Sequence, residues 1–245
     1  MYIVLITALG VGGATIFGAV IGFVFKGVSK KYSNVVLAFS GGVMLLAAIN
    51  GLILPSLEYE SKYSLLICVL GIFFGALLIF ILDKLVPHIT KMADESENSK
   101  KRNKVILFTL AIAIHNLPEG IAAGVGFGTG DVSSALTLAL AIALQNIPEG
   151  MVIISPMIAA GISPGKTFIY AALTGVIEIF GTFIGYFAVS LATVVLPFAL
   201  ALAGGSMIYV ISDEIIPETH CEDAKAVSFS FLFGFCFMLV LTYLI

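Results

Sequence analysis

Residues 105–127 read VILFTLAIAIHNLPEGIAAGVGF, and residues 133–158 read SSALTLALAIALQNIPEGMVIISPMI. Each run is long enough to cross a bilayer core, which takes roughly 20 mostly apolar residues of helix. Each also carries an imidazole or amide, a second amide, a proline and a carboxyl near its middle, where an ionised side chain costs at least about 2.5–3.5 kcal/mol. The two interruptions match. Ala111-Ile-Ala-Ile-His115-Asn116-Leu117-Pro118-Glu119-Gly120 returns 30 residues later as Ala141-Ile-Ala-Leu-Gln145-Asn146-Ile147-Pro148-Glu149-Gly150, identical at seven of ten positions.

The rest of the chain explains the setting. It has 245 residues, 60% hydrophobic and 11% charged, with a mean hydropathy of +1.12. A soluble domain carries about a quarter charged residues, so lipid is the solvent this surface suits. Outward from the repeated block, eight apolar runs are found near 3–25, 35–57, 63–84, 105–127, 133–158, 166–189, 193–211 and 227–245. The expected fold class is all-α: a polytopic bundle of eight transmembrane helices forming one domain over residues 1–245. The N-terminal run has no basic n-region and continues for more than 20 residues, which reads as a span and not as a cleaved signal peptide.

Charge orients the bundle. All of the 12 Lys and Arg except Lys62 follow the first, third, fifth or seventh run. Basic residues accumulate on the cytoplasmic side, so both termini are expected outside the cytoplasm, in a multi-pass protein of the inner (cell) membrane. The stretch HITKMADESENSKKRNK at 88–104 reads as a solvated cytoplasmic connector, within a loop expected near 85–104. The net charge of −3 gives no reason to expect a nucleic-acid partner, and the lipid bilayer is the evident one. Cys68, Cys221 and Cys236 are scattered and form no disulfide or zinc framework.

The repeated block has a chemical reading. Residues four apart share a helix face, so His115 lies with Glu119 and Gln145 with Glu149, each flanked by Asn116 or Asn146. Each proline removes one hydrogen bond and displaces a carbonyl of the preceding turn. Paired interruptions of two spans are a sequence pointer to a transporter's central site. Glu178, mid-run in the sixth span, adds a third carboxyl, and no Lys or Arg lies near the middle of any span to pair with it. Imidazole, amide and carboxylate together suit borderline divalent ions such as Zn²⁺, Fe²⁺ or Mn²⁺. The competing reading is a polar network that only glues helices together; carboxylates on both copies of the block exceed what glue requires.

These residues resemble the ZIP (Zrt-, Irt-like) family of metal transporters, in its bacterial subgroup. The likeness rests on His115-Asn-Leu-Pro-Glu-Gly120 and Gln145-Asn-Ile-Pro-Glu-Gly150. It extends to Gly42-Val43-Met44-Leu45-Leu46-Ala47-Ala48 followed by Leu54-Pro55, and to Ile211-Ser212-Asp213-Glu214-Ile215-Ile216-Pro217-Glu218-Thr219-His220. The resemblance implies a 3+2+3 arrangement in which spans one to three relate to six to eight by a pseudo-two-fold axis. It also implies one ion held by His115, Glu119, Gln145 and Glu149 with Met44 approaching, and a second by Asn116, Glu119, Asn146, Glu149 and Glu178. Homodimers are common among relatives. Many members have His at the position of Gln145, and some bacterial ones an acid at that of Asn146. Both departures substitute an amide for a stronger ligand.

The expected activity is carrier-type movement of divalent metal into the cytoplasm, zinc first, then cadmium, iron or manganese, with no organic cofactor and no enzymatic reaction. Glu58 is placed at the entrance, and Asp213, Glu214 and His220 at the exit. Ligands must be deprotonated to bind, so uptake is expected to weaken as external pH falls. A channel using the same carboxylates as a filter is the alternative. An intramembrane metalloprotease would need a second His four residues from the first, and that residue is missing.

Overall fold

In a computed structural model, residues 1–25, 30–59, 62–90, 97–191, 195–219 and 224–244 are described. Eight helical rods account for them. They are α1 (Tyr2–Val24), α2 (Lys30–Ala48, continued through Ile49–Ile53 and Leu54–Glu58), α3 (Ser64–Thr90) and α4 (Glu97–Gly126). After a short 3₁₀ turn follow α5 (Val132–Ala159), α6 (Pro164–Leu191), α7 (Leu196–Val210, continued through Ile211–Ile215 and Ile216–Thr219) and α8 (Ala224–Leu244). Among the described residues there is no β-strand, as the all-α expectation requires.

Among the described residues, seven of these helices are long and apolar enough to cross a membrane. Helix α4 carries His115, Asn116, Pro118 and Glu119 and opens with the charged segment Glu97 to Lys104. Helices α3 and α4 reach further than the apolar runs, to Thr90 and from Glu97, so much of the stretch expected as a loop is helical. Charged residues are compatible with helix once it leaves the apolar layer; hydropathy marks the membrane, not the helix end.

Glycine sets the closest helix contacts. A Cβ on Gly120 would lie 2.2 Å from the Glu178 carbonyl oxygen, locking α4 against α6; one on Gly150 would lie 2.1 Å from that of Thr15, locking α5 against α1. Where α1 crosses α6, a Cβ on Gly12 or Gly175 would lie 2.3 or 2.4 Å from the other's carbonyl oxygen. Such close approach is how small residues replace hydrophobic drive between helices in lipid. The major remaining pairings are α3 with α7 and α2 with α8. Local sequence follows the same pattern: Thr15-Ile16-Phe17-Gly18 in α1 corresponds to Glu178-Ile179-Phe180-Gly181 in α6.

Helices α2 and α7 share a defect. Each contains one π-helical turn, Ile49–Ile53 and Ile211–Ile215, followed within two residues by Pro55 or Pro217. A π turn swings side chains off the regular helical register and is frequent at functional sites. In α7 the shifted residues include Asp213 and Glu214.

Candidate metal site

The two prolines sit inside unbroken helices, Pro118 in α4 and Pro148 in α5. Asn116, Glu119, Gln145 and Asn146 are at most 1% exposed, and His115 and Glu149 are 5% and 6% exposed. Glu178 and Met44 are fully buried, Met44 one turn before the π turn of α2. The electrostatic neighbours of Glu119 are Glu149 and Glu178, with Gln145 alongside. Those of Glu149 are His115 and Glu214. Four elements therefore bring their polar groups to one region: α4, α5, α6 and α7.

The hydrogen-bond accounting is the unusual part. Both oxygens of Glu119, both amide atoms of Asn116 and Gln145, and Oδ1 of Asn146 are buried with no hydrogen-bond partner among the described residues. Leaving one such group unsatisfied costs about 1–3 kcal/mol, more when charged, and buried charges are otherwise paired or coordinate metals. Helix glue would have satisfied these atoms mutually. Oxygens of this kind, with the His115 nitrogen nearby, are chemically suited to hold a hard-to-borderline cation.

Glu178 is partnered. Its Oε2 accepts from the Thr15 hydroxyl at 3.0 Å, and its Oε1 accepts from Asn146 Nδ2, which also donates to the Val11 carbonyl at 3.2 Å.

A second group adjoins the first. His115 Nε2 lies 2.5 Å from Glu214 Oε1 and 3.9 Å from Asp83 Oδ1. Ligand atoms from Asp83, His115 and Glu214 all fall within 4.8 Å of one another, the spacing of a metal-binding triad. A cavity of about 310 Å³ reaches His115 and Glu214 from the end of the bundle where α5 and α7 finish; Glu149, Val152, Asp213 and Glu218 also line it. At the opposite end, a pocket of about 450 Å³ is lined by Asn50, Gly51, Asp131, Thr137 and Leu138 but by none of the buried polar cluster.

Known proteins resemble this chain over most of its length. Residues 90–242 match the family model described as ZIP Zinc transporter. The chain is 34% identical over 245 residues to zinc transporter GufA of Myxococcus xanthus, covering 97% of this chain and 96% of that protein.

The chain belongs to the ZIP family.

Zinc transporter ZIPB of Bordetella bronchiseptica is 34% identical over 214 residues, covering 84% of this chain and 69% of that protein. Zinc transporter ZIP11 of Homo sapiens is 30% identical over 318 residues, covering 94% and 93%. ZIP membership makes this a multi-pass divalent-metal transporter, not an enzyme.

Of the outlying residues singled out in the sequence, Glu58 is exposed at the far end of α2, away from the buried cluster. Asp213 is exposed at the cavity, Glu214 is partly buried against His115, and His220 lies outside the described residues. Two participants carry no sequence signal. Asp83 closes an apolar run next to Lys84 and reads as an interfacial charge, and Thr15 is one hydroxyl in a glycine-rich span. Both acquire meaning only from tertiary contacts.

Proposed function

We propose that this ZIP protein carries zinc, and secondarily other divalent transition metals, into the cytoplasm through a site between α4 and α5. The carrying observation is the set of buried, unpartnered oxygens on Glu119, Asn116, Gln145 and Asn146 beside His115 and Glu149. One ion is held by His115, Glu119, Gln145 and Glu149, with the Met44 thioether closing from α2, and Asn116 and Asn146 serve an adjoining ion position that shares Glu119 and Glu149. Metal departs through Glu214 and Asp83 into the cavity that α7 lines. These carboxylates already face His115 and can accept the ion from it.

The arrangement favoured is 3+2+3, α1–α3 and α6–α8 flanking α4 and α5. Its support is pairwise: α4 packs on α6 as α5 packs on α1, α3 on α7 as α2 on α8, and α2 on α5 as α4 on α7. An axis of that kind passes where Gly12 and Gly175 meet. Helices α1, α4, α5 and α6 are held together by glycine-to-carbonyl contacts, so they move as one body and take the site with them past α2 and α7. The cavity that reaches His115 and Glu149 at one end and the pocket that stops short of the cluster at the other fit one extreme of that motion. With the basic loops inside, the open end faces the cytoplasm.

The test is the initial rate of zinc entry into proteoliposomes as zinc is raised. A carrier saturates at low metal with slow turnover; flux rising linearly to high rates identifies a channel.

A further inference from the structure

Among the described residues, Glu178 is the one acid of the buried cluster whose two oxygens both have hydrogen-bond donors, and the residues that occupy them form a chain. The Thr15 hydroxyl of α1 donates to Oε2 at 3.0 Å, and Asn146 Nδ2 of α5 donates to Oε1. The second hydrogen of that same amide goes to the Val11 carbonyl of α1 at 3.2 Å. Asn and Gln amides are assigned from their network, and here the assignment is fixed: a main-chain carbonyl can only accept, so nitrogen must face Val11. With both N–H groups spent, Oδ1 of Asn146 is left buried and unpartnered, as are the side-chain oxygens of Glu119 and Asn116. Asn116, the matching residue of the other repeat, has no partner at either amide atom among the described residues.

We propose that Thr15 and Glu178 are positioning residues: they hold the Asn146 amide so that its oxygen, and not its nitrogen, is presented to the transported ion. Glu178 then acts on the ion through Asn146, in place of the direct contact that the family resemblance implies. A freely rotating amide would offer a cation its N–H donors about as readily as its oxygen. The clasp removes that alternative at the cost of one carboxyl. Outer groups that orient a ligand are commonly worth 10–100-fold in metal affinity. The chain also ties α1, α5 and α6 together at ion depth, so an ordered ion ligand and an ordered helix trio are the same contact.

This inference rests on the ion site proposed above, and the test separates the two. Zinc and cadmium affinity and the number of ions bound are measured on the full-length protein in detergent, by competition with a fluorescent chelator, for six proteins: wild type, Glu149→Ala, Thr15→Val, Thr15→Ser, Glu178→Gln and Glu178→Ala. Val matches Thr in shape and Ser restores the hydroxyl. Gln can still accept from Asn146 and donate to the Thr15 hydroxyl oxygen. The expected result is about tenfold weaker binding for Thr15→Val and Glu178→Ala, recovery in Thr15→Ser, and Glu178→Gln within about threefold of wild type with the same ion count. Wild-type affinity in Thr15→Val, or the loss of one ion in Glu178→Gln, overturns the positioning role and makes Glu178 a direct ligand. Unchanged binding in Glu149→Ala overturns the ion site itself.

Discussion

The imidazole Nε2 of His115 on α4 lies 2.5 Å from Oε1 of Glu214 on the π turn of α7. This contact joins the buried repeat to the open cavity. A π turn admits one extra residue, and in α7 the extra residue turns Glu214 toward α4 while Asp213 faces the cavity mouth. On the transport path proposed above, the same carboxylate would pair with the imidazole once the ion had left. Ion release and the resting state thus compete for one set of atoms.

That competition predicts the effect of Glu214→Gln. The imidazole–carboxylate attraction is lost, while His115, Glu119, Gln145 and Glu149 are all retained. Maximal uptake is expected to fall about 10-fold, the scale of removing a charged partner beside a metal ligand, with a smaller change in KM. Asp83→Asn is expected to act in the same direction and more weakly, because its oxygen is 3.9 Å from the imidazole. An unchanged Vmax in both variants, measured in proteoliposomes, removes them from the exit.

The packing has its own test in Gly150. Its Cβ position is 2.1 Å from the Thr15 carbonyl oxygen, a backbone atom that cannot rotate away. Gly150→Ala should therefore push α5 from α1, at about 1–3 kcal/mol for an overpacked core. Gly165→Ala, at a position with nothing within 4 Å, is the control. Thermal unfolding in detergent should show a lower Tm for the first and little change for the second.

Asp131 caps α5, accepting from the Ser133 N–H at 3.0 Å and the Ser134 hydroxyl at 2.6 Å. The Ser134 hydroxyl, followed by the backbone N–H groups of Ser134 and Ser133, holds its carboxyl below the usual range. A lowered folded-state pKa contributes stability above the unfolded value, and that stability is lost as pH falls through the folded one. Asp131→Ala should thus lower Tm at neutral pH, and the gap to wild type should narrow in acid. A gap that widens in acid contradicts the cap.

Proton competition at the ion site has a definite sign as well. Imidazole and carboxylate bind metal only when deprotonated, so lowering external pH should raise the apparent KM for zinc and reduce uptake at sub-saturating metal. The check is KM at neutral and acidic external pH with internal pH held constant. A KM that does not move argues against these ligands.

The bundle and its repeated block were legible in the sequence because lipid demands long apolar runs, and a polar interruption stands out against them. The choice of partners was not. Glu178 reads as a third ion ligand, and nothing in the sequence shows that Thr15, 163 residues away in the chain, donates to its Oε2. The π turns leave no compositional trace beyond Pro55 and Pro217, since one inserted residue changes register and not hydropathy. Asp83 was hidden for the converse reason: a carboxyl next to Lys84 at the end of an apolar run is what any interface looks like.

Zinc uptake into proteoliposomes by wild type and Glu149→Ala tests the central claim most directly. Glu149 stands between the buried repeat and the cavity, with His115 and Glu214 as its electrostatic neighbours. The account predicts saturable uptake by the wild type that collapses in the variant while the protein remains folded. Equal uptake by the two would contradict a transport site between α4 and α5.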